Sequence, residues 1–252
     1  MELYTAPKKT IVHLPAKKKS SDLSPWLLKL AYPLAKYIVL PCYFGKIEIT
    51  GQENIPKQGP VIVAPTHRSR WDALIVPFST GRYASGRDLR FMVTANEMKG
   101  IQGWFIRRCG GFPVDLGHPD ISAFRQSVEI LSRGEMLTIF PEGGIFRDNK
   151  LHKLKPGVAR IALQVESANP GINLKILPVS IHYSDLIPHR GTNVYVDIAP
   201  PIAIEQYNLE NPKASSKKII EDLANILGST YEKRVAQTQQ KLSKDWVGRE
   251  RK

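Results

Sequence analysis

Short runs of β-branched and aromatic residues recur along the chain from Lys46 onward, separated by stretches with helical spacing. Lys46–Thr50, Val61–Pro65, Leu89–Thr94, Gly110–Val114, Met136–Phe140, Leu174–Tyr183 and Asn193–Ile198 read as strands. Between them, Trp71–Phe78, Met98–Arg107, Pro119–Ser132, Pro156–Val165 and Ser215–Lys241 read as helices. This alternation predicts an α/β fold with a mostly parallel central sheet flanked by helices. Val61–Pro65 is uniformly apolar, the pattern of a strand covered on both faces.

The first 45 residues follow a different pattern. Residues 1–22 are rich in Lys, Pro and Ser and read as a basic flexible arm. Residues 23–45 contain the apolar segment Trp26–Phe44, which carries Lys29 and Lys36 and is interrupted by Pro33 and Pro41. The prolines favour short helices with a bend. Tyr and Trp suit a headgroup boundary and the lysines can reach phosphates, so the segment reads as an amphipathic helical membrane-docking motif. A core helical hairpin is the competing reading. Residues 46–252 then form the α/β domain.

Charge and composition narrow the partners. The formal net charge is +13, with Lys8, Lys9, Lys17, Lys18 and Lys19 near the start and Lys241, Lys244, Arg249, Arg251 and Lys252 near the end. Such a balance calls for an anionic partner: anionic membrane lipids, an anionic substrate or nucleic acid. No zinc-finger, helix-turn-helix or RNA-binding sequence pattern accompanies the charge, which argues against nucleic acid. Cys42 and Cys109 have no histidines at metal-ligand spacing and imply neither a zinc site nor a disulfide framework, which points to a reducing compartment. The N-terminal twenty residues lack the apolar core of a secretory signal, and no run of eighteen uncharged apolar residues marks an ordinary spanning helix.

Two short blocks carry candidate chemistry. His67 and Asp72 stand as HxxxxD directly after the Val61–Pro65 strand. In open α/β sheets, sites gather beyond the carboxyl ends of strands. Positions i and i+5 of a regular helix point about 140° apart, so the two side chains meet only if His67 lies in the turn and Asp72 in the first helical turn, with Ser69 as the expected N-cap. A carboxylate on one ring nitrogen leaves the other as a general base. Arg68 and Arg70 add positive charge that disfavours imidazolium. The structural alternative is an ordinary histidine with an Asp at a helix N-terminus. About seventy residues on, Pro141-Glu142-Gly143-Gly144 follows the Met136–Phe140 strand. Its glycines permit close backbone approach to a ligand, and Glu142 is a candidate to orient an acceptor hydroxyl or a main-chain donor; an ordinary turn is the alternative. Arg107 and Arg108, before the next strand, are candidate anion ligands or surface ion-pair partners. His13, His118, His152, His182 and His189 stand in no recognisable constellation.

Four ordered blocks, HRSRWD at 67–72, GWFIRR at 103–108, FPEGG at 140–144 and ILPV at 176–179, resemble those of the PlsC-type glycerophospholipid acyltransferases. The resemblance implies one-step transfer of an acyl group from an acyl-carrier-protein or coenzyme A thioester to a glycerolipid hydroxyl, without metal or other cofactor. The expected acceptor position is the sn-2 hydroxyl of 1-acyl-glycerol 3-phosphate, with glycerol 3-phosphate, another lysophospholipid or a neutral lipid alcohol as alternatives. By the same resemblance, His67 is the general base and Asp72 orients it. Arg107 or Arg108, with the Glu142-Gly143 turn, holds the acceptor. The enzyme is then monotopic and sits on the cytoplasmic face of a membrane. The chain departs from the family pattern where many members carry Thr and Arg after the third block's first glycine: here stand Gly144 and Ile145. It departs again where a KxEL element is common, as Ala95-Asn96-Glu97-Met98. Either Arg107, Arg108, Arg147 or Lys155 holds the acceptor's phosphate, or the acceptor has none.

Overall fold

A computed structural model describes residues 23–115 and 121–249. The basic arm at 1–22, His13, His118 and the last three residues lie outside them. Among the described residues the strands are β1 (Ile47–Thr50), β2 (Val61–Pro65), β3 (Leu89–Thr94), β4 (Gly111–Val114), β5 (Met136–Thr138), β6 (Lys175–Tyr183), β7 (Val194–Ile198) and β8 (Ile202–Ala203). The helices are α1 (Pro25–Leu34), α2 (Leu40–Tyr43), α3 (Asp72–Thr80), α4 (Arg82–Ser85), α5 (Gly100–Arg108), α6 (Ile121–Ser132), α7 (Gly157–Ala168) and α8 (Pro212–Arg249).

The sheet runs β1-β7-β6-β2-β5-β3-β4, with β8 pairing β6. Five consecutive strands, β6, β2, β5, β3 and the edge strand β4, are mutually parallel. The direction reverses at β7, which is antiparallel to β6 while pairing parallel with β1. The fold is therefore mixed α/β, with helices on both faces of a central sheet.

Side-chain alternation along the strands divides the core in two. Ile62 and Ala64 of β2 point into a layer shared with α6, α7 and α8, whereas Val61 and Val63 enter the opposite layer with α2 and α3. All five residues of β2 are buried, which accounts for its unbroken apolar sequence. In α8, Ile219, Leu223, Leu227 and Tyr231 recur every fourth position, and all four are buried. That stripe seats the helix on the sheet.

The N-terminal segment bends by a specific device. A π turn, Ala35–Val39, joins α1 to α2, with the Leu40 N–H bonding the Ala35 carbonyl. Pro41 has no N–H and would crowd the carbonyl four residues back in a regular helix. The wider turn accommodates it. Leu27, Leu28, Leu40 and Phe44 are buried, while Trp26, Leu30, Leu34, Tyr37 and Ile38 remain exposed. The segment thus packs on the α/β domain through one face and leaves an apolar face uncovered. Among the described residues no helix is long and apolar enough to cross a membrane.

Candidate active site

His67 lies in the turn between β2 and α3, and Asp72 is the first residue of α3. The N-cap is Trp71, where the sequence suggested Ser69. Ser69 instead takes the Trp71 N–H on its hydroxyl at 3.3 Å. The turn closes because the Asp72 carboxylate folds back over it. Oδ2 accepts the Arg68 N–H at 2.7 Å and the Ser69 N–H at 2.9 Å, and it meets His67 Nδ1 at 2.9 Å. Oδ1 accepts the Tyr183 hydroxyl at 2.6 Å. Asp72 is fully buried, so this set of donors stabilises its charge where water does not. His67 keeps about a fifth of its side chain exposed (18%). Its ring stacks on Phe140, with centroids 3.9 Å apart. With Nδ1 engaged by Asp72, Nε2 is left to receive a proton.

His67 borders a groove of about 690 Å³. Leu28 and Leu34 of α1, Leu74 and Phe78 of α3, Phe91 of β3 and Ile106 of α5 are among its apolar walls. Arg70, Glu97 and Gln102 also line it. Arg70 donates to Glu97 at 2.9 Å, and Gln102 donates to the other Glu97 oxygen at 2.7 Å. Cys109 lines the groove too, and burial pushes its thiol up to about 11, away from thiolate chemistry.

The third block meets the first beneath this turn. Glu142 Oε1 accepts the His67 N–H at 3.1 Å, and both carboxylate oxygens accept from Arg68 Nη1, at 2.9 and 3.1 Å. Oε2 also takes the His152 N–H at 2.9 Å. The Glu142 side chain has no exposed area. Of the two roles the sequence leaves open for it, Glu142 takes that of holding main-chain donors, the His67 and His152 amides, beneath the base. Gly143 has φ of 70°, a conformation that favours glycine. A Cβ there would also lie 2.6 Å from the Lys155 side chain, which covers the turn. The positive charges beside His67 are each paired, Arg68 with Glu142 and Arg70 with Glu97. The sequence reading of added positive charge beside the base leaves out these two carboxylate partners.

Arg107 and Arg108 stand in the last turn of α5, outside the groove lining. Arg107 donates to the Met98 carbonyl at 3.1 Å, and Arg108 lies over the Trp104 ring. Arg147 is exposed and also stands apart from the lining. The groove's own arginine is Arg70, which the sequence marks only as added charge. Tyr183 carries no sequence signal at all, since it lies 111 residues from Asp72. Of the other histidines, His152 bonds Asp148 at 2.8 Å and His189 lies 3.5 Å from Asp185. Burial, reinforced by Arg234, pushes His182 down to about 4 and keeps it neutral.

Comparison with known proteins agrees with this architecture. The chain has the fold of the 1-acyl-sn-glycerophosphate acyltransferase PlsC from Thermotoga maritima, with a TM-score of 0.66 at 22% identity, over 83% of this chain and 80% of that one. It is 26% identical to a 1-acyl-sn-glycerol-3-phosphate acyltransferase of Streptococcus pneumoniae, over 78% of this chain and 69% of that protein. It is 30% identical to the mitochondrial glycerol-3-phosphate acyltransferase 1 of Sus scrofa, over 58% of this chain but only 20% of that protein. Residues 46–182, which hold the His67 turn, the groove strands and the Glu142 turn, match the family described as Acyltransferase, and the chain belongs to that family.

Proposed function

We propose that this chain transfers a fatty acyl group from an acyl thioester to the sn-2 hydroxyl of 1-acyl-glycerol 3-phosphate, giving phosphatidate. The observation that carries the reading is the His67–Asp72 pair at 2.9 Å beside a groove wide and apolar enough for acyl chains. His67 Nε2 takes the acceptor's hydroxyl proton as the oxygen attacks the thioester carbonyl. Collapse of the tetrahedral adduct breaks the C–S bond, and the imidazolium returns the proton to the departing thiolate of coenzyme A or acyl-carrier protein. Asp72 holds the Nδ1–H tautomer and offsets the positive charge while it lasts. No acyl-enzyme is required, and no metal or other cofactor enters the step.

Arg70 lines the same groove as His67 and is three-quarters exposed (75%), with donors beyond the one given to Glu97. It is the proposed ligand for the acceptor's phosphate, in place of Arg107, Arg108 or Arg147. The names of the relatives divide between acylated and unacylated glycerol phosphates, so acceptor choice is the point to test. Purified protein in lipid vesicles would be offered lysophosphatidate, glycerol 3-phosphate and neutral lipid alcohols side by side with a labelled acyl thioester. Preference for lysophosphatidate is expected. Arg70→Ala should raise KM for that acceptor about tenfold and leave a neutral acceptor unaffected. A wild-type preference for neutral alcohols would remove phosphate recognition from the reading.

The enzyme is proposed to work as a monotopic protein on the cytoplasmic face of a membrane, with anionic lipids as its surface partner. Exposed Trp26, Leu30, Leu34, Tyr37 and Ile38 support this, and so do exposed Ile101, Trp104 and Phe105 on α5. Both sets lie on elements that wall the groove. Removing residues 1–44 would also strip Leu40 and Phe44 from the core, so surface substitutions are the cleaner probe. Replacing Trp26, Leu30, Leu34, Tyr37 and Ile38 by Ser should weaken sedimentation with anionic vesicles by more than about tenfold. Any contribution from exposed lysines and arginines should fall with added salt. Undiminished sedimentation of the substituted protein would assign the membrane contact elsewhere.

A further inference from the structure

We propose that Tyr183 is a positioning residue of the proton relay, its hydroxyl locking the Asp72 carboxylate so that His67 presents Nε2 to the groove. The inference rests on the reading of His67 as the base. Tyr183 is the last residue of β6, and its neighbours on that face of the strand, Val179 and Ile181, are buried apolar side chains. A phenol hydroxyl in such a layer is costly unless it is bonded. It donates to Asp72 Oδ1 at 2.6 Å across the sheet–helix interface. Burial, and then the Asp72 charge, push the Tyr183 pKa well above the usual phenol value, so the hydroxyl remains a donor at any working pH.

The ring is clamped as well. Phe44, just after α2, lies 6.0 Å from the Tyr183 ring and edge-on to Trp71 at 5.3 Å. Trp71 immediately precedes Asp72. The carboxylate is therefore fixed from two sides. Its Oδ2 is held by the Arg68 and Ser69 amides of its own turn, and its Oδ1 by a side chain from another element. With one oxygen pinned by Tyr183, the carboxylate cannot rotate away from the His67 Nδ1–H, and the opposite tautomer, whose Nδ1 is an acceptor, meets no donor on that side. The other charges nearby are internally paired: Arg68 with Glu142, and Arg70 with Glu97.

Tyr183→Phe removes one oxygen and keeps the ring. The variant is expected to lose about tenfold in kcat, the effect of one hydrogen bond to a charged group, with KM for both substrates within about twofold. In an Asp72→Asn background the same substitution should add no further loss. An unchanged kcat would reduce Tyr183 to packing. A full, additive loss in the Asp72→Asn background would mean that Tyr183 acts apart from Asp72. Full activity of His67→Ala, run in parallel, would instead overturn the base reading on which the proposal stands.

Discussion

His67→Ala is expected to lower acyl transfer by at least about 10³-fold while vesicle binding and folding stay as they are. The size of the effect follows from the site's economy. Cys109 is held protonated by burial, and the neighbouring carboxylates, Asp72 and Glu142, are buried and fully committed to donors. Glu97, which lines the groove as well, has its two oxygens engaged by Arg70 and Gln102, which leaves His67 as the side chain placed to take the acceptor's proton among the described residues. The ring itself is partly exposed and makes its main packing contact with one face of Phe140, so its loss should disturb the fold little. Asp72→Asn should also be severe: an amide nitrogen in place of Oδ2 presents a donor to Nδ1 and strands the Arg68 and Ser69 amides, and in place of Oδ1 it removes the acceptor of the Tyr183 hydroxyl. Initial rates with saturating thioester, read beside vesicle sedimentation, separate chemistry from docking. Turnover of His67→Ala within tenfold of the parent protein would exclude the histidine as base.

Much of this site is legible in the sequence, and the rest is hidden by sequence distance. The strand Val61–Pro65 announces itself by uniform apolarity, and the helical geometry of i and i+5 requires His67 to lie in the turn, where it is. The central α/β alternation is equally plain, although the reversal at β7 and the small strand β8 are not. Proline positions predict a bend in the N-terminal segment; that a π turn accommodates it depends on backbone bonding that spacing cannot reveal. By sequence Glu142 is a candidate to orient either an acceptor hydroxyl or a main-chain donor, and its spacing does not say which donors it meets. Its partner Arg68 lies 74 residues away, and only the pairing of β2 with β5 brings the two together. Arg107 and Arg108 look like ligands by type, but their place in the last turn of α5 sets them outside the groove lining. Chemistry carried by neighbours in sequence is legible. Chemistry assembled across the sheet is not.

Glu142→Ala should destabilise the protein by about 3–5 kcal/mol, the usual cost of leaving a buried charge without its partner. Arg68 is almost wholly buried (4% exposed) and makes both Nη1 bonds to Glu142. Its Nη2 bond to the Lys150 carbonyl and its stacking over the Tyr231 ring do not neutralise it. The same substitution frees the His67 and His152 amides from their carboxylate acceptor, adding to the penalty. Replacing both members of the pair, as Arg68→Met with Glu142→Leu, removes the stranded cation and should recover most of the lost stability, as measured by urea unfolding. Activity should not recover with it. The His67 amide would still lack the Glu142 oxygen that ties the base's turn to the third block, so the doubly substituted protein should fold well and turn over poorly. A loss below about 1 kcal/mol in Glu142→Ala would mean that water reaches Arg68. Restored activity in the double variant would mean that Glu142 serves only to neutralise Arg68, and that the turn holds His67 without it.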